Sequence, residues 1–386
     1  MEIRLKLTAV LLTITGIFVA SNIYTLIPIY ENVSQSLHIH ESHVVLAGSL
    51  FSLFYAIGLL YFGPASDQFG RRNVIIVGML ASACSTLMVG LVDGTTSLYI
   101  ARCLQGLTLG SFAPVAFALI FDLYSARKRT LLLVFLNTGF LVAGILGQLI
   151  SSTITSLSTW NMVYYFFAIC YFILFLLSIL VLPMSKLPLR ENRSVFSIMT
   201  SLLKNKSILK CYGITFTLLF SFVSLYDAIG RFFGGSPEQL FSLRAVGLTG
   251  AILSLFTGRM IEKFGVERTM FTGFVIGMLS LISMSIFHSL FALMALSILF
   301  VASISLLIPT IITLIGTLGG IHRAKALTLY SFVLLAGASI ASPIVMLLNF
   351  QLVLLLLVAL FLLNFILGTF LTQELAQEQN QVNMNA

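Results

Sequence analysis

The chain alternates between long apolar runs and short polar breaks over most of its length. A membrane-spanning helix needs about 20 mostly apolar residues, and the breaks divide the sequence into twelve runs of that size. The pattern therefore predicts an all-α membrane protein with twelve transmembrane helices. The predicted spans are 6–30, 43–63, 73–92, 96–122, 131–153, 161–183, 209–233, 242–261, 269–288, 290–316, 326–348 and 351–372.

One polar stretch, at 184–208, is longer than the other breaks and rich in Lys and Arg. We interpret it as a cytoplasmic linker with a short interfacial helix over 194–203. It separates a predicted N-terminal six-helix bundle (1–183) from a C-terminal one (209–372). The last residues, 373–386, are rich in Gln, Asn and Glu and are expected to form a disordered cytoplasmic tail.

Composition agrees with a membrane protein and excludes a soluble one. Hydrophobic residues make up 59% of the chain and charged residues only 9%, whereas soluble domains carry about 25% charged residues. A net charge of +8 would otherwise indicate a polyanionic partner. With twelve spans, however, every Lys and Arg except Arg102, Arg231 and Arg244 lies on the side that holds both termini.

The positive-inside rule makes that side cytoplasmic. No cleaved signal peptide is recognisable, so the first helix is expected to remain. Short loops and compact length suit a multi-pass protein of the bacterial inner membrane. A nucleic-acid partner is not expected, and nothing requires an oligomer, so the prediction is a monomer.

The two predicted bundles share an internal repeat. Four pairs of residues in corresponding places are each separated by 195 positions. Coinciding offsets favour two related six-helix halves, as in transporters that move one half against the other. The pairs are Gly63 and Gly258, Asp67 and Glu262, Gly70 and Gly265, and Pro114 and Pro309.

The loop after the second span reads Gly-Pro-Ala-Ser-Asp-Gln-Phe-Gly-Arg-Arg over 63–72. It resembles the signature loop of the major facilitator superfamily. Arg102 resembles the fourth-helix arginine of that superfamily, and Asp122 resembles the acidic partner of its loop arginines. The resemblance implies two pseudo-symmetric bundles, alternating access and a cytoplasmic gate that closes the inner side. The gate residues it implies are Gly63, Asp67, Gly70, Arg71, Arg72 and Asp122.

A narrower resemblance points to the drug:proton antiporter branch. Residues 223–230, Val-Ser-Leu-Tyr-Asp-Ala-Ile-Gly, are similar to the seventh helix of its arabinose-efflux-like and multidrug-efflux-like members. The fifth helix departs from the branch, because the stretch 139–148 is glycine-rich but lacks the expected proline. The resemblance implies proton antiport, and the missing proline leaves an uncoupled facilitator open.

Ionisable groups at membrane depth are costly and are therefore functional candidates. Asp227 is the one carboxylate that the predicted spans place well inside the bilayer. It is a proton-coupling candidate, or else an intrahelical partner of Arg231. Arg102 could bind an anionic group, respond to protonation of Asp227, or hold the helices together. The predicted substrate-binding residues, each alternatively an interhelical hydrogen bond, are Asn22, Tyr24, Arg102, Gln105, Asn137, Tyr226, Asp227 and Arg231.

These features predict a secondary active exporter of a small molecule, coupled to protons by antiport. The excess of arginine over aspartate at depth favours an amphipathic, zwitterionic or anionic substrate, such as a carboxylate-bearing metallophore or metabolite. Multidrug efflux of lipophilic cations, an uncoupled facilitator and a lipid flippase are the alternatives. No paired catalytic groups and no nucleotide-binding loop occur, so neither an enzyme nor an ATP-driven pump is expected.

No cofactor and no metal site are predicted. His38, His40 and His43 crowd the first outer loop and could bind a transition metal, but a solvated face is the expected outcome. The four cysteines lie in apolar runs at unrelated spacings and are interpreted as small apolar residues rather than disulfides.

Overall fold

A computed structural model of the chain describes residues 2–184 and 195–384. The chain divides into two compact units, Met1–Asn192 and Arg193–Ala386. Throughout the described ranges the regular structure is helical, without a β-strand. The all-α membrane fold predicted from the apolar runs is thus confirmed.

Residues 2–184 of the first unit form eight α-helices that pack against one another. The main packing partners are α3 with α5, α4 with α8, and α1 with α7. The helices are α1 (Glu2–Ser21), α2 (Tyr30–Leu37), α3 (Glu41–Phe69), α4 (Arg71–Gly90), α5 (Thr95–Leu109), α6 (Ala113–Leu123), α7 (Ala126–Leu157) and α8 (Trp160–Val181).

The described part of the second unit, residues 195–384, also forms eight α-helices. Its central helix is α10, which packs against α14, α15 and α16, while α13 pairs with α14 and α16. The helices are α9 (Val195–Lys204), α10 (Lys206–Phe232), α11 (Pro237–Gly247), α12 (Ser254–Phe264), α13 (Val266–Ile286), α14 (Leu290–Leu318), α15 (Arg323–Met346) and α16 (Phe350–Met384).

The number of spans found among the described residues is smaller than the twelve expected. Ten helical stretches are long and apolar enough to cross a bilayer, and a bent pair, Glu238–Leu253 with Phe256–Phe264, makes an eleventh. The predicted fifth span lies in α7, whose described apolar part, Val142–Leu157, is shorter than a full crossing.

Two helices of the first unit are interrupted where the sequence predicts continuous spans. The first predicted span, 6–30, ends its helix at Ser21 and continues through a turn and a 3₁₀ segment at Ile27–Ile29 into α2. The fourth span is divided between α5 and α6 at residues 110–112. Pro114 lies in the first turn of α6, where its missing N–H costs no hydrogen bond. Its repeat partner Pro309 lies inside the continuous α14.

Glycines allow α3 and α5 to approach with their backbones in contact. A methyl group added to Gly110 would lie 2.6 Å from the Tyr55 carbonyl oxygen, and one added to Gly106 would meet the carbonyl oxygen of Phe51. Small residues at such crossings are the usual means by which membrane helices pack closely. This crossing brings the buried face of α5 directly onto Phe51.

The internal repeat has a backbone counterpart at its two signature loops. Gly70 ends α3 and Gly265 ends α12, and both have a φ of 87°. This left-handed region is open to glycine and strained for residues with a Cβ. Each glycine lets the chain reverse within one residue before the next helix begins.

The structure describes the second part of the predicted linker, which contains a short helix as expected, and most of the tail. Residues 185–194 of the predicted linker lie outside the described residues. The helix expected in the interface, α9, packs through Ile198, Met199 and Leu202 against its own unit, on α10 and α15. The expected disordered tail instead continues α16 as far as Met384, because residues 373–384 contain good helix formers and neither Gly nor Pro.

The close α3–α5 crossing predicts that Gly106→Ala destabilises the protein. The added methyl group must displace the backbone of α3, and such overpacking costs about 1–3 kcal/mol. We expect a lower midpoint of thermal unfolding in detergent. Gly258→Ala is the control, since no atom lies near a methyl group added there, and it should leave the midpoint unchanged or raised. Equal midpoints for the two variants would contradict the crossing.

Candidate functional site

The first unit buries one arginine completely. Arg102 lies two turns into α5 and has no exposed surface. Its guanidinium carbon lies 4.1 Å from the centre of the Phe51 ring, on α3, and 5.9 Å from the ring of Tyr164, on α8. The aromatic faces stabilise a cation in a setting without water. The glycine crossing described above makes the Phe51 contact possible.

A chain of hydrogen bonds connects Arg102 to the interruption of the first span. Arg102 Nη1 donates to Gln105 Oε1 at 2.6 Å. Gln105 Nε2 donates in turn to Asn22 Oδ1 at 2.9 Å and to Thr86 Oγ1 at 3.0 Å. Asn22 Nδ2 donates to the Tyr171 hydroxyl, which donates to the Phe18 carbonyl. Four helices are thereby joined through one buried polar network.

The segment after α1 is held in place by α7. Ser151 Oγ donates to the Thr25 carbonyl at 2.6 Å, which satisfies one backbone group that the interrupted helix leaves unpaired. Tyr24 is buried, and a methyl group added to Gly144 would lie 3.6 Å from its ring. The predicted residues Asn22, Tyr24, Arg102 and Gln105 thus lie in one region of this unit. The side chain of Asn137 lies outside the described residues.

Arg102 retains binding capacity. Its Nε and Nη2 atoms are buried and have no hydrogen-bond partner among the described residues. No carboxylate of the described chain forms a salt bridge with it. A buried guanidinium usually has its donors satisfied, so these two nitrogens are suited to an anionic oxygen.

The second unit buries the predicted carboxylate beside two arginines. Asp227 is 1% exposed, and its Oδ1 accepts from Arg231 Nε at 3.1 Å, one turn along α10. Arg244, on α11, is 5% exposed and also acts electrostatically on Asp227. Both arginines, which the predicted spans exclude from the side of the termini, are largely buried at this carboxylate.

Tyr226 joins this cluster through a hydroxyl pair. Its OH group lies 2.7 Å from Ser297 Oγ, on α14. Ser342, on α15, bonds to the Asp227 side chain. Sequence reasoning did not select Ser297 or Ser342, whereas Arg244 was one of the three arginines considered as partners of an anionic substrate. The internal repeat could have identified Ser297, because this residue lies 195 positions after Arg102 and is its counterpart in the second half.

The predicted gate residues meet where α3 ends and α4 begins. Arg71 forms salt bridges with Asp67, at 3.6 Å, and with Asp122 at the end of α6, and it donates to the Ala118 carbonyl. Ser66 Oγ donates to the Gly63 carbonyl at 2.7 Å. Arg71 is the centre of this group, because its side chain is 11% exposed and contacts both acids.

Arg72 has a different partner from the one expected in a single charge cluster. It donates to the carbonyls of Leu182, at 2.9 Å, and Ile179, at 2.8 Å, at the end of α8. Arg4 donates to Val181 and Leu182 beside it. The last carbonyls of a helix lack intrahelical partners and carry partial negative charge, so the two arginines cap α8.

Two of the three histidines between α2 and α3 lie next to hydroxyl groups. His40 Nδ1 lies 2.7 Å from Ser42 Oγ, and His43 Nδ1 lies 2.8 Å from the Tyr99 hydroxyl. Within the described ranges no three His, Cys, Asp or Glu side chains are placed to hold a metal ion. The cysteines are free thiols, of which only Cys211 is buried.

The buried network predicts that Gln105→Leu lowers stability. The change removes the hydrogen-bond partner of Arg102 and of Asn22, and each buried polar group left unpaired costs about 1–3 kcal/mol. Thermal unfolding in detergent should show a midpoint lower by several degrees. Gln35→Leu, at an exposed glutamine of α2, should change it little. An unchanged midpoint for Gln105→Leu would contradict the network.

Comparison with known proteins identifies the family. The profile of the Major Facilitator Superfamily matches residues 12–241 and 211–384. Multidrug resistance protein D of Escherichia coli is 32% identical over 165 residues, 43% of this chain and 41% of that protein. The uncharacterized MFS-type transporter YdgK of Bacillus subtilis is 28% identical over 358 residues, 87% of this chain and 88% of its own.

Multidrug resistance protein MdtG of Proteus mirabilis is 27% identical over 293 residues, 72% of each chain. The similarity to the Escherichia coli protein spans about two fifths of that relative, whereas the family profile covers most of the present chain. The profile agrees with the apolar helices of the structure and with the signature loop at the α3–α4 junction. The chain therefore belongs to the Major Facilitator Superfamily: it is a multi-pass all-α membrane transporter and not an enzyme.

Proposed function

We propose that this transporter is a secondary active exporter of a small amphipathic, zwitterionic or anionic molecule, driven by proton antiport through alternating access. The main support for the proposal is the buried environment of Arg102. A fully buried guanidinium with two nitrogens open to a ligand is costly unless an anionic group binds there during the cycle. In the proposal, Asn22, Tyr24, Gln105 and the predicted Asn137 complete this part of the substrate site.

Asp227 is the proposed proton-coupling group. Among the described side chains it is the one fully buried carboxylate, and its bond to Arg231 gives it a partner that can be exchanged for a proton. Removing the charge of Asp227 or of Arg231 changes the net charge of the cluster by one. Such a change has a large energetic effect because the surroundings have a low dielectric constant. Tyr226 and Arg231 are the proposed substrate contacts nearby, and Arg102 is proposed to respond to this step.

The proposed substrate class follows from the buried charge of the first unit. Arg102 forms no salt bridge with a carboxylate among the described residues. Buried charges in proteins are usually paired, so this cation favours a substrate with at least one anionic group, such as a carboxylate.

The gate proposal rests on the α3–α4 junction. Arg71 joins the end of α3 to the end of α6 through Asp67 and Asp122, and these contacts must break if the two helices separate. Gly63 and Gly70 set the backbone around them, and Arg72 holds the neighbouring end of α8. We place this side in the cytoplasm together with both termini, and we propose that the protein works as a monomer in the bacterial inner membrane.

Multidrug efflux of lipophilic cations is the second candidate. Similarity to two multidrug resistance proteins, protein D and MdtG, favours it. Such cations would pair with Asp227 and would leave Arg102 without a ligand. An uncoupled facilitator is a third outcome, in which substrate equilibrates across the membrane without being concentrated.

The function is tested in proteoliposomes with an acidic lumen that are incubated with the small-molecule extract of cells containing this transporter. We expect the wild-type protein to concentrate one or a few compounds, identified by mass spectrometry, and a protonophore to abolish the accumulation. Equilibration without accumulation would indicate a facilitator. Accumulation confined to added lipophilic cations would indicate multidrug efflux and would overturn the proposed substrate class.

Asp227→Asn should abolish concentrative accumulation while the protein still folds, because an amide cannot exchange the coupling proton. We expect a loss of about tenfold or more, with slow equilibration retained. Glu238→Gln is the control, since this carboxylate is exposed at the start of α11. Full proton-driven accumulation by Asp227→Asn would exclude the coupling role.

Asp122→Asn and Asp67→Asn should each lower the transport rate several-fold without loss of folded protein. Each removes one salt bridge of Arg71, and losing a partner of a largely buried charge is costly. Glu262→Gln is the matched control, because Glu262 is the repeat partner of Asp67 but Val266 stands where Arg71 would be. Normal rates in both aspartate variants would show that Arg71 does not act as a latch.

A further inference from the structure

The guanidinium of Arg102 has one complete edge that binds nothing in the protein. Its Nη1 donates to Gln105 Oε1 at 2.6 Å, whereas its Nε and Nη2 have no hydrogen-bond partner among the described residues. Nε and Nη2 share one edge of the planar group, and their N–H bonds point in the same direction. Two parallel, charged donors form the part of an arginine that binds an anion most strongly.

The surroundings of this arginine supply no negative charge. Within the described ranges, the groups that act electrostatically on Arg102 are Tyr164, Tyr30, Tyr171 and Cys103. Tyrosine and cysteine side chains are ordinarily uncharged at neutral pH. The guanidinium therefore has dipoles around it but no counter-ion.

Other buried arginines of the chain differ in this respect. Arg71 forms salt bridges with Asp67 and Asp122, and Arg231 forms one with Asp227. In each of these cases a carboxylate of the same unit balances the charge.

Two aromatic rings stabilise the cation without neutralising it. The Arg102 guanidinium carbon lies 4.1 Å from the centre of the Phe51 ring and 5.9 Å from that of Tyr164. A cation–π contact offsets only part of the cost of holding an ion in a medium of low dielectric constant. A counter-ion is therefore still needed to balance the charge.

The size and charge of that counter-ion are limited by the site. Arg102 has no exposed surface, and both free nitrogens are buried. An amphipathic substrate reaches this edge only if the surrounding helices separate, whereas a single ion requires small movements of neighbouring side chains. One guanidinium carries one positive charge, so a monovalent anion balances it and a divalent anion would reverse it.

We infer that, when no substrate is bound, the Nε–Nη2 edge of Arg102 holds a small monovalent inorganic anion such as chloride. If the substrate carries an anionic group that uses the same edge, chloride competes with it and leaves as it binds. Only this competition rests on the function proposed above, since the halide site itself needs no substrate.

The inference is tested by thermal unfolding of the purified transporter in detergent, with chloride exchanged for gluconate at constant ionic strength. Gluconate is too large for the enclosed edge. A ligand that binds only the folded protein raises the unfolding midpoint, by about 2 °C for each tenfold increase in concentration above its dissociation constant. We expect chloride and bromide to have this effect on the wild-type protein.

Variants locate the effect. Arg102→Gln should abolish the dependence on chloride, and Arg259→Gln, which removes an exposed arginine of α12, should retain it. A wild-type midpoint that does not respond to chloride, or an equal response in Arg102→Gln, would overturn the site.

Arg102→Lys separates the geometry of the edge from its charge. Lysine keeps the positive charge but lacks the two parallel donors. We expect about tenfold more chloride to be needed for the same rise in midpoint. The same dependence as in the wild-type protein would show that the Nε–Nη2 edge does not form the site.

A crystallographic measurement on the wild-type protein requires no variant to fold. In crystals grown with bromide in place of chloride, anomalous scattering should show a bromide ion within hydrogen-bonding distance of Arg102 Nε and Nη2. Bromide found only elsewhere, or a water molecule at this edge, would overturn the inference.

The halide site and the proposed exporter can fail separately. Bromide at Arg102 without proton-driven accumulation in proteoliposomes would contradict the exporter and leave the halide site intact. Proton-driven accumulation without bromide at Arg102 would overturn the halide site alone. In an active transporter, chloride in place of gluconate should raise the half-saturating concentration of the accumulated compound, and an unchanged value would overturn the competition.

Discussion

The hydrocarbon core of a bilayer contains no water to bind polar groups, so every hydrogen-bonding group carried into it must find a partner in the protein. Helices solve the problem for the backbone, and short polar networks solve it where a helix is interrupted. The segment after α1 illustrates this constraint. Its unpaired backbone is met by Ser151 from α7, and Asn22 is held by side chains from α5 and α8.

The same constraint makes an unpaired charge energetically costly. A buried charge that lacks a full set of partners is therefore informative about function. Arg102 is stabilised by the Phe51 and Tyr164 rings and by Gln105, yet two of its nitrogens have no partner among the described residues. Around Asp227, two arginines share one carboxylate. Both arrangements bury positive charge among packed helices, and the proposal of an anionic substrate group rests on the first of them.

The two halves of the internal repeat resemble each other more in backbone conformation than in the charged residues at equivalent positions. Gly70 and Gly265 share the same unusual φ, but the salt-bridge centre Arg71 has Val266 as its counterpart. Likewise Arg102 has Ser297 as its counterpart, and the second unit uses Arg244 from α11 instead. Backbone reversal depends on one glycine at one position, whereas a charge can be supplied from any helix that packs nearby.

The amino-acid sequence by itself determined the membrane class, the approximate helix positions, the repeat and the candidate residues Arg102 and Asp227. These follow from local properties: apolar length, glycine spacing and the cost of charge in lipid. Sequence could not show that the first span is interrupted after Ser21, because the residues there are still mostly apolar and the stabilising partners come from α5, α7 and α8.

Tertiary structure decided which polar side chains meet. Asn22 and Gln105 are 83 positions apart, and they meet because the segment after α1 packs against α5. Nothing in the local sequence of Arg244 indicates burial, and it is buried because α11 packs it over Gly230. Local pattern fixes where a helix forms, but the neighbours of a buried side chain depend on how distant helices pack.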